Sequence, residues 1–322
     1  MRPLLYLCVL VLLARPGIAQ QASPLGSSSA AVTAADLPSD TTFTEVTLVR
    51  DGAYALVPVR IGALDSLLFI LDTAASASVL SPDTRDALGF TEDDGGIAQV
   101  LGASGPTEYQ LLELDALTVG TRTVRTLRVA VIDLERFRQS EIPYAGILGN
   151  DVLRQFDVEY NWPESRLGLY EKGTLPEVRL NDFTPVPFAG GGFGGFVSFD
   201  AALADASARV IVDTGAGTSV FNAAAAALEG AIPGTEGVQR QDEATRGLGD
   251  EETETYRYTF SDFGVGDVMF EPREVRIADL PVFRVLGLSD QPAVILGNDV
   301  LGQRPLFLLY STGTAYFGPL DP

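Results

Sequence analysis

Two short phrases, each written twice, constrain this chain more than anything else in it. The stretch Phe69-Ile70-Leu71-Asp72-Thr73-Ala74-Ala75-Ser76 recurs in form as Val210-Ile211-Val212-Asp213-Thr214-Gly215-Ala216-Gly217. The phrase Ile-Leu-Gly-Asn-Asp-Val-Leu stands at Ile147–Leu153 and again, unchanged, at Ile295–Leu301. The two Asp-Thr units lie 141 residues apart and the two phrases 148 apart. A tandem duplication accounts for this order, and it predicts two similar lobes. It also offers a way to set two carboxylates side by side across a twofold axis.

The 322 residues contain no histidine, and the only cysteine is Cys8. Ser-His-Asp and Cys-His chemistry need an imidazole to take the nucleophile's proton, and catalytic zinc sites lean on imidazole ligands. Beyond Cys8 the chain has no thiol for a disulfide or a thiolate metal site. Near neutral pH the acid–base groups that remain are carboxylates, tyrosines and one lysine, Lys172. No metal site and no cofactor is expected: the acidic runs Glu92-Asp93-Asp94 and Asp250-Glu251-Glu252 lack the Gly-centred alternation of a calcium loop.

The first residues read as an export signal. Arg2 supplies a positive start, Leu4 to Ala14 an apolar run of eleven, and Gly17-Ile18-Ala19 a small-residue end. Eleven residues fall short of the roughly 20 that span a bilayer, so residues 1–19 are expected to be removed and the protein to be periplasmic or extracellular. Without Arg2 and Arg15 the net charge of −21 becomes −23. Such a surface argues against nucleic acid, whose binding needs basic patches, and against stable association with anionic membranes.

Residues 20–42, rich in Ala, Ser and Thr, read as a flexible leader. An N-terminal lobe is expected over 43–172, a linker over 173–182 and a C-terminal lobe over 183–322. Short apolar and β-branched runs at Phe43–Val49, Tyr54–Ile61 and Ser66–Leu71 predict strands in the first lobe. Phe183–Phe188, Gly195–Phe199 and Ala208–Val212 predict the same set in the second. From opening Phe to Asp the distances are 29 and 30 residues, so the copies stay in register. Later in each lobe a glycine-bearing tip, Gly102-Ala103-Ser104 or Gly247-Leu248-Gly249, precedes the strand runs Tyr109–Leu117 and Thr253–Phe260 and predicts a hairpin. Helices are scarce, with Pro82–Leu88 and Ala223–Leu228 the best short candidates. The repeated phrases could add about two turns each, with Asn150 and Asn298 as N-caps. The glycine run Gly190–Gly195 lacks the Gly-Lys-Ser/Thr of a phosphate loop and reads as a turn.

These residues resemble the aspartic peptidase superfamily, specifically retropepsin-like domains in two tandem copies, as in bacterial exported aspartyl proteases. The markers are the apolar-apolar-Asp-Thr-Gly loop, a glycine-tipped flap about 30 residues on, and the Ile-Leu-Gly near each lobe's end. The resemblance implies an all-β fold of two pepsin/retropepsin-like β-barrel lobes related by a pseudo-twofold axis. It implies an endopeptidase acting on protein or peptide substrates, with Asp72 and Asp213 as catalytic dyad. Thr73, Ala74, Thr214 and Gly215 would support the dyad, the threonines by hydrogen bonds to the opposite loop. Gly102, Ala103 and Ser104, with Gly247, Leu248 and Gly249, would form flaps. Independently of the resemblance, two carboxyls in contact cannot both ionise cheaply and so share one proton.

Two departures from the family pattern bear on activity. Ala74 stands where glycine is usual, adding a methyl where the loops approach and restricting the backbone should that position need positive φ. Ala75 and Ala216 replace the Ser or Thr common in digestive members, which removes a hydroxyl donor from each carboxylate and predicts a less acidic working range. Three readings stay open: a monomeric peptidase with one intramolecular site, a binding or scaffold protein without turnover, and a dimer whose sites form between chains.

Overall fold

In the computed structural model the described residues are 11–13, 42–102, 105–189, 195–241, 253–260, 263–265 and 267–320. Strands dominate them, arranged as two nine-stranded sheets and one of six strands. The expected strands Tyr54–Ile61 and Ser66–Leu71 appear as Tyr54–Ile61 and Leu64–Leu71. Their counterparts are Ser198–Leu203 and Ala206–Val212. Each of the latter members is apolar and fully buried over its last three residues, and each ends on the Asp-Thr loop. A strand buried on both faces carries a continuous apolar run rather than an alternation.

The two large sheets repeat one strand order. In the first, Arg122–Val131, Val79–Leu80, Gly146–Leu148, Leu64–Leu71 and Tyr54–Ile61 lie side by side. In the second the order is Arg273–Ile277, Val220–Phe221, Ala293–Leu296, Ala206–Val212 and Ser198–Leu203. The Ile-Leu of each repeated phrase runs parallel to the strand before its Asp: Leu148 pairs with Leu71, and Leu296 with Val212. Tyr54–Ile61 also pairs with the long strand Gly105–Val119, which curls the first sheet back on itself.

The six-stranded sheet is shared. Its order is Thr184–Pro187, Thr314–Phe317, Leu306–Leu309, Phe156–Asn161, Arg166–Glu171 and Phe43–Thr47. The opening strand of each half thus sits at an outer edge, while Phe156–Asn161 meets Leu306–Leu309 in the middle. The apolar core is continuous across this sheet, joining Leu153, Val158 and Leu167 to Val197, Leu306 and Phe317.

Helices are short, and their starts follow local capping. Pro82–Ala87 begins with proline in its first turn, after Ser81, whose Oγ accepts from Thr84 N. Ala223–Leu228 follows Asn222, whose Oδ1 accepts from Ala225 N. The helix expected from each repeated phrase is a single turn, Asn150–Leu153 or Asn298–Leu301. Its N-cap is Gly149 or Gly297, not the asparagine, because each asparagine amide is drawn to another partner described below. A further helix, Pro281–Val285, had no counterpart in the sequence reading. Within the expected linker, Glu177–Leu180 forms a 3₁₀ turn.

The hairpin of the first half is present as Gly96–Gly102 paired with Gly105–Val119, with Gly102 opposite Gly105. Ala103 and Ser104 lie outside the described residues, as do Gly247, Leu248, Gly249, the run 190–194 and the leader over 20–41. Of the expected export segment only Val11–Leu13 is described, as a short strand on the outer edge of Gly96–Gly102. Among the described residues no helix is long and apolar enough to cross a membrane.

Capping by Asn222 and by Ser81 is unequal, which sets up a comparison. Asn222 Nδ2 also donates to Leu288 O (3.0 Å) and Gln291 O (2.7 Å), and its Oδ1 accepts from Ala293 N as well. Asn222→Ala should therefore cost about 2–4 kcal/mol, while Ser81→Ala should cost about 1 kcal/mol. Denaturant unfolding of the two variants against the parent measures both, and equal losses would contradict the assignment.

Candidate active site

The strands before the two Asp-Thr loops end at the pseudo-twofold axis, and the loops meet there. Asp72 N donates to Leu148 O and Asp213 N to Leu296 O, both at 3.0 Å, so each repeated phrase holds the backbone of its own aspartate. A Cβ at Gly149 would lie within 2.9 Å of the backbone of Ala75 and Ala77, and one at Gly297 within 3.0 Å of Ala216 and Thr218. Only glycine fits beneath either loop.

The threonines tie the loops together. Thr73 Oγ1 donates to Val212 O (2.8 Å) and accepts from Thr214 N (3.1 Å). Thr214 Oγ1 donates to Leu71 O (2.9 Å) and accepts from Thr73 N (3.1 Å). All four bonds cross between the halves, and both residues are buried.

Asp72 and Asp213 are both fully buried. Oδ1 of Asp72 accepts from Ala74 N, and Oδ1 of Asp213 from Gly215 N, each at 2.8 Å. Oδ2 of each is buried and takes no hydrogen bond from an amide or hydroxyl of the described residues. The two carboxyls interact directly, and a hydrogen bond between them exists only while one carries a proton. Burial is the largest cause raising Asp72, to about 7, with the Ala74 amide and the Asp213 side chain pulling it back. Asp213 is held further above the usual carboxylate range, by burial first and the Asp72 charge second. The arrangement describes a pair with one proton, carried by Asp213, and one charge, carried by Asp72.

Ala74 has an ordinary backbone: among the described residues, those other than glycine with positive φ are Ser66, Thr126, Ser165 and Ala204. The backbone restriction raised by the sequence does not arise. Its methyl packs with Phe196, Ile211 and Val220 of the second half. The corresponding methyl at Gly215 would stand 2.4 Å from Asp72 Oδ2, so the two loops are not interchangeable. Ala75 packs with Ile70, Val79 and Val100, and Ala216 with Ile211 and Ile295.

Sequence reasoning missed the polar groups behind the threonines. Asn150 Nδ2 donates to Thr73 O (2.6 Å), and Asn298 Nδ2 to Thr214 O (2.7 Å) and Ala53 O (2.8 Å). Tyr310 Oη donates to Asn150 Oδ1 (2.7 Å), and Tyr160 Oη to Asn298 Oδ1 (2.9 Å). Ser78 and Ser219, each six residues after an Asp, accept from Gly149 N and Gly297 N and donate to Asp151 and Asp299. The duplication carried the signal, since each pair recurs at matching distances. Among the described residues no cluster of three or more Asp, Glu, His or Cys is placed to hold a metal ion. A cavity of about 550 Å³ bounded by Leu67, Pro82, Leu134 and Tyr144 touches neither carboxyl of the pair.

The raised carboxyls carry a stability consequence. A carboxyl whose folded pKa exceeds its unfolded one binds more protons folded, so stability falls as pH rises through that window. For Asp72 the window runs from about 4 to about 7. Asp72→Asn and Asp213→Asn should each stabilise the fold at pH 7 by at least about 1.4 kcal/mol, one pKa unit's equivalent, and far less at pH 4. Thermal midpoints across pH 4–8 check this; a gain independent of pH would contradict the buried shared charge.

Residues 57–152 match the family model described as aspartyl protease. No curated protein matches the chain. Among solved structures, a retropepsin-like aspartic protease from Rickettsia conorii shares 17% sequence identity, over 40% of this chain and 90% of that one, with a TM-score of 0.30. Through residues 57–152, which hold Asp72, Thr73 and the first Ile-Leu-Gly, this chain belongs to the aspartic peptidase superfamily.

Proposed function

We propose that this protein is an exported aspartic endopeptidase that uses Asp72 and Asp213, one from each half, as a single dyad. The observation that carries the reading is the buried pair of carboxyls sharing a proton at the junction of two interlocked Asp-Thr loops. The family match over residues 57–152 supports a peptidase in general; the substrates proposed are unfolded or extended protein segments. Export rests on the apolar N-terminal run and its small-residue end.

In the proposed reaction the charged Asp72 accepts a proton from a bound water, whose oxygen attacks the scissile carbonyl carbon. Asp213 gives its proton towards the carbonyl oxygen as negative charge develops there. The tetrahedral species collapses as the peptide nitrogen takes a proton and leaves as an amine, restoring one proton to the pair. The threonine bonds keep both carboxyls in one geometry throughout, which is where positioning contributes to rate. A single-chain site is favoured over one between two chains because all four threonine bonds close within one chain.

Asp72→Asn and Asp213→Asn should each reduce hydrolysis of unfolded casein to background without loss of folded protein, and a pepstatin-like inhibitor should block the parent. Near-normal turnover in either single variant rules out a shared dyad. Folded parent protein with no turnover at any pH would favour the binding reading instead.

Ala75 and Ala216 predict the position of the working range. With no hydroxyl donor beside either carboxyl, the ionised pair is less stabilised and activity is expected at mildly acidic to neutral pH. One charge-assisted hydrogen bond contributes about 1.5–3 kcal/mol, so Ala75→Ser/Ala216→Ser should move the acidic limb downward by about one pH unit. An unchanged or upward-shifted limb in the pH–rate profile would contradict the argument.

A further inference from the structure

The hydrogen bonds behind the dyad have one direction. Thr73 O and Thr214 O can only accept, so Asn150 and Asn298 must present Nδ2 to them. That leaves Oδ1 of each asparagine facing a phenol, which must then donate. The carbonyl of Thr73 and the N–H of Ala74 belong to one peptide unit, and that N–H donates to Asp72 Oδ1. The carbonyl of Thr214 and the N–H of Gly215 are likewise one unit, donating to Asp213 Oδ1. Two chains of donors result. One runs from Tyr310 through Asn150 and the 73–74 peptide to Asp72; the other runs from Tyr160 through Asn298 and the 214–215 peptide to Asp213.

The chains cross. Tyr310 follows Leu306–Leu309 of the second half but serves the first-half carboxyl, while Tyr160 lies on Phe156–Asn161 of the first half and serves the second. Both tyrosines stand in or beside the central strands of the six-stranded sheet. Resting on the dyad reading above, we infer that Tyr310 and Tyr160 are positioning residues that set, each from the opposite half, the donor strength of the amides holding Asp72 and Asp213. Hydrogen bonds in series polarise one another, so a phenol donating at the far end strengthens the amide that meets the carboxylate. Each half then sets the acidity of the other's aspartate through the sheet they share.

The surroundings suit a fixed donor. Burial pushes both phenols above their ordinary range, so both keep their protons wherever the dyad is half-protonated. The charged groups acting on the phenols are Arg154 at Tyr310 and Arg50 at Tyr160, each opposing burial. Those acting on the dyad are each carboxyl on the other, with the amides of Ala74 and Ala75 at Asp72 and of Gly215 and Ala216 at Asp213.

The test uses full-length protein carrying Tyr310→Phe or Tyr160→Phe, with unfolded casein as the probe substrate. With the shared proton on Asp213, the acidic limb of the pH–rate profile reports Asp72 and the alkaline limb Asp213. Tyr310→Phe should raise the acidic limb, and Tyr160→Phe the alkaline limb, each by about 0.1–0.6 pH unit, from roughly 10–30% cooperative strengthening of a charge-assisted bond. kcat should fall with KM unchanged. Tyr310→4-aminophenylalanine, which retains a donor, should return most of the shift and serves as the readout if the Phe variant does not fold. Independently of turnover, the pH dependence of the thermal midpoint should change in Tyr310→Phe, and that change should vanish in an Asp72→Asn background. A parent that leaves casein intact overturns the peptidase reading alone, since the stability cycle still decides the relay. Unmoved limbs, or an effect of Tyr310→Phe that persists beside Asp72→Asn, would overturn the relay and leave the tyrosines a packing role.

Discussion

Four hydrogen bonds between Thr73 and Thr214 hold the centre of this molecule. Each threonine gives its hydroxyl proton to a carbonyl of the opposite strand and accepts the opposite threonine's amide. Neither loop can satisfy its own threonine, so each half is incomplete without the other. In a buried place, an unpaired hydroxyl or amide costs about 1–3 kcal/mol, which makes the joined state the one in which every group is paired. Two carboxyls come together as a consequence of this pairing, against their mutual repulsion.

Bringing two acids into a water-poor site is unfavourable, and the fold offsets that cost in two ways. One proton stays with the pair, removing one charge. The remaining charge meets amides at 2.8 Å in the loop that carries it. Behind those amides stand Asn150 and Asn298, and behind them the tyrosines of the shared sheet. The six-stranded sheet is therefore more than a floor: it fixes the angle between the halves and carries polar side chains from each to the other's loop.

Pseudo-symmetry is close but not complete at the one place it bears on chemistry. Ala74 and Gly215 occupy equivalent positions, yet the methyl of Ala74 packs into the second half's apolar cluster while a methyl at Gly215 would collide with Asp72. The chain thus has an intrinsically unequal dyad, and the stronger hold on the proton at Asp213 agrees with that inequality.

Much of this was legible in the amino-acid order. The duplicated apolar-Asp-Thr runs marked the buried strands Leu64–Leu71 and Ala206–Val212, because a continuous apolar run needs cover on both faces. The lack of histidine and of a second cysteine directed attention to carboxylates. Asn150 was read as a helix cap, since local propensity favours it there; the Thr73 carbonyl, 77 residues away, claimed its amide instead. Tyr160 and Tyr310 gave no local sign of a polar role, as a tyrosine in a strand reads as apolar filling. The sequence by itself determined that two equivalent Asp-Thr loops and two glycine phrases exist, because duplication and strand periodicity are local in the chain. Only the tertiary structure decided that the loops interlock, that one proton serves both acids, and that each asparagine answers to a tyrosine from the other half. Those facts depend on groups some 140 to 160 residues apart meeting away from water, where every donor must find an acceptor.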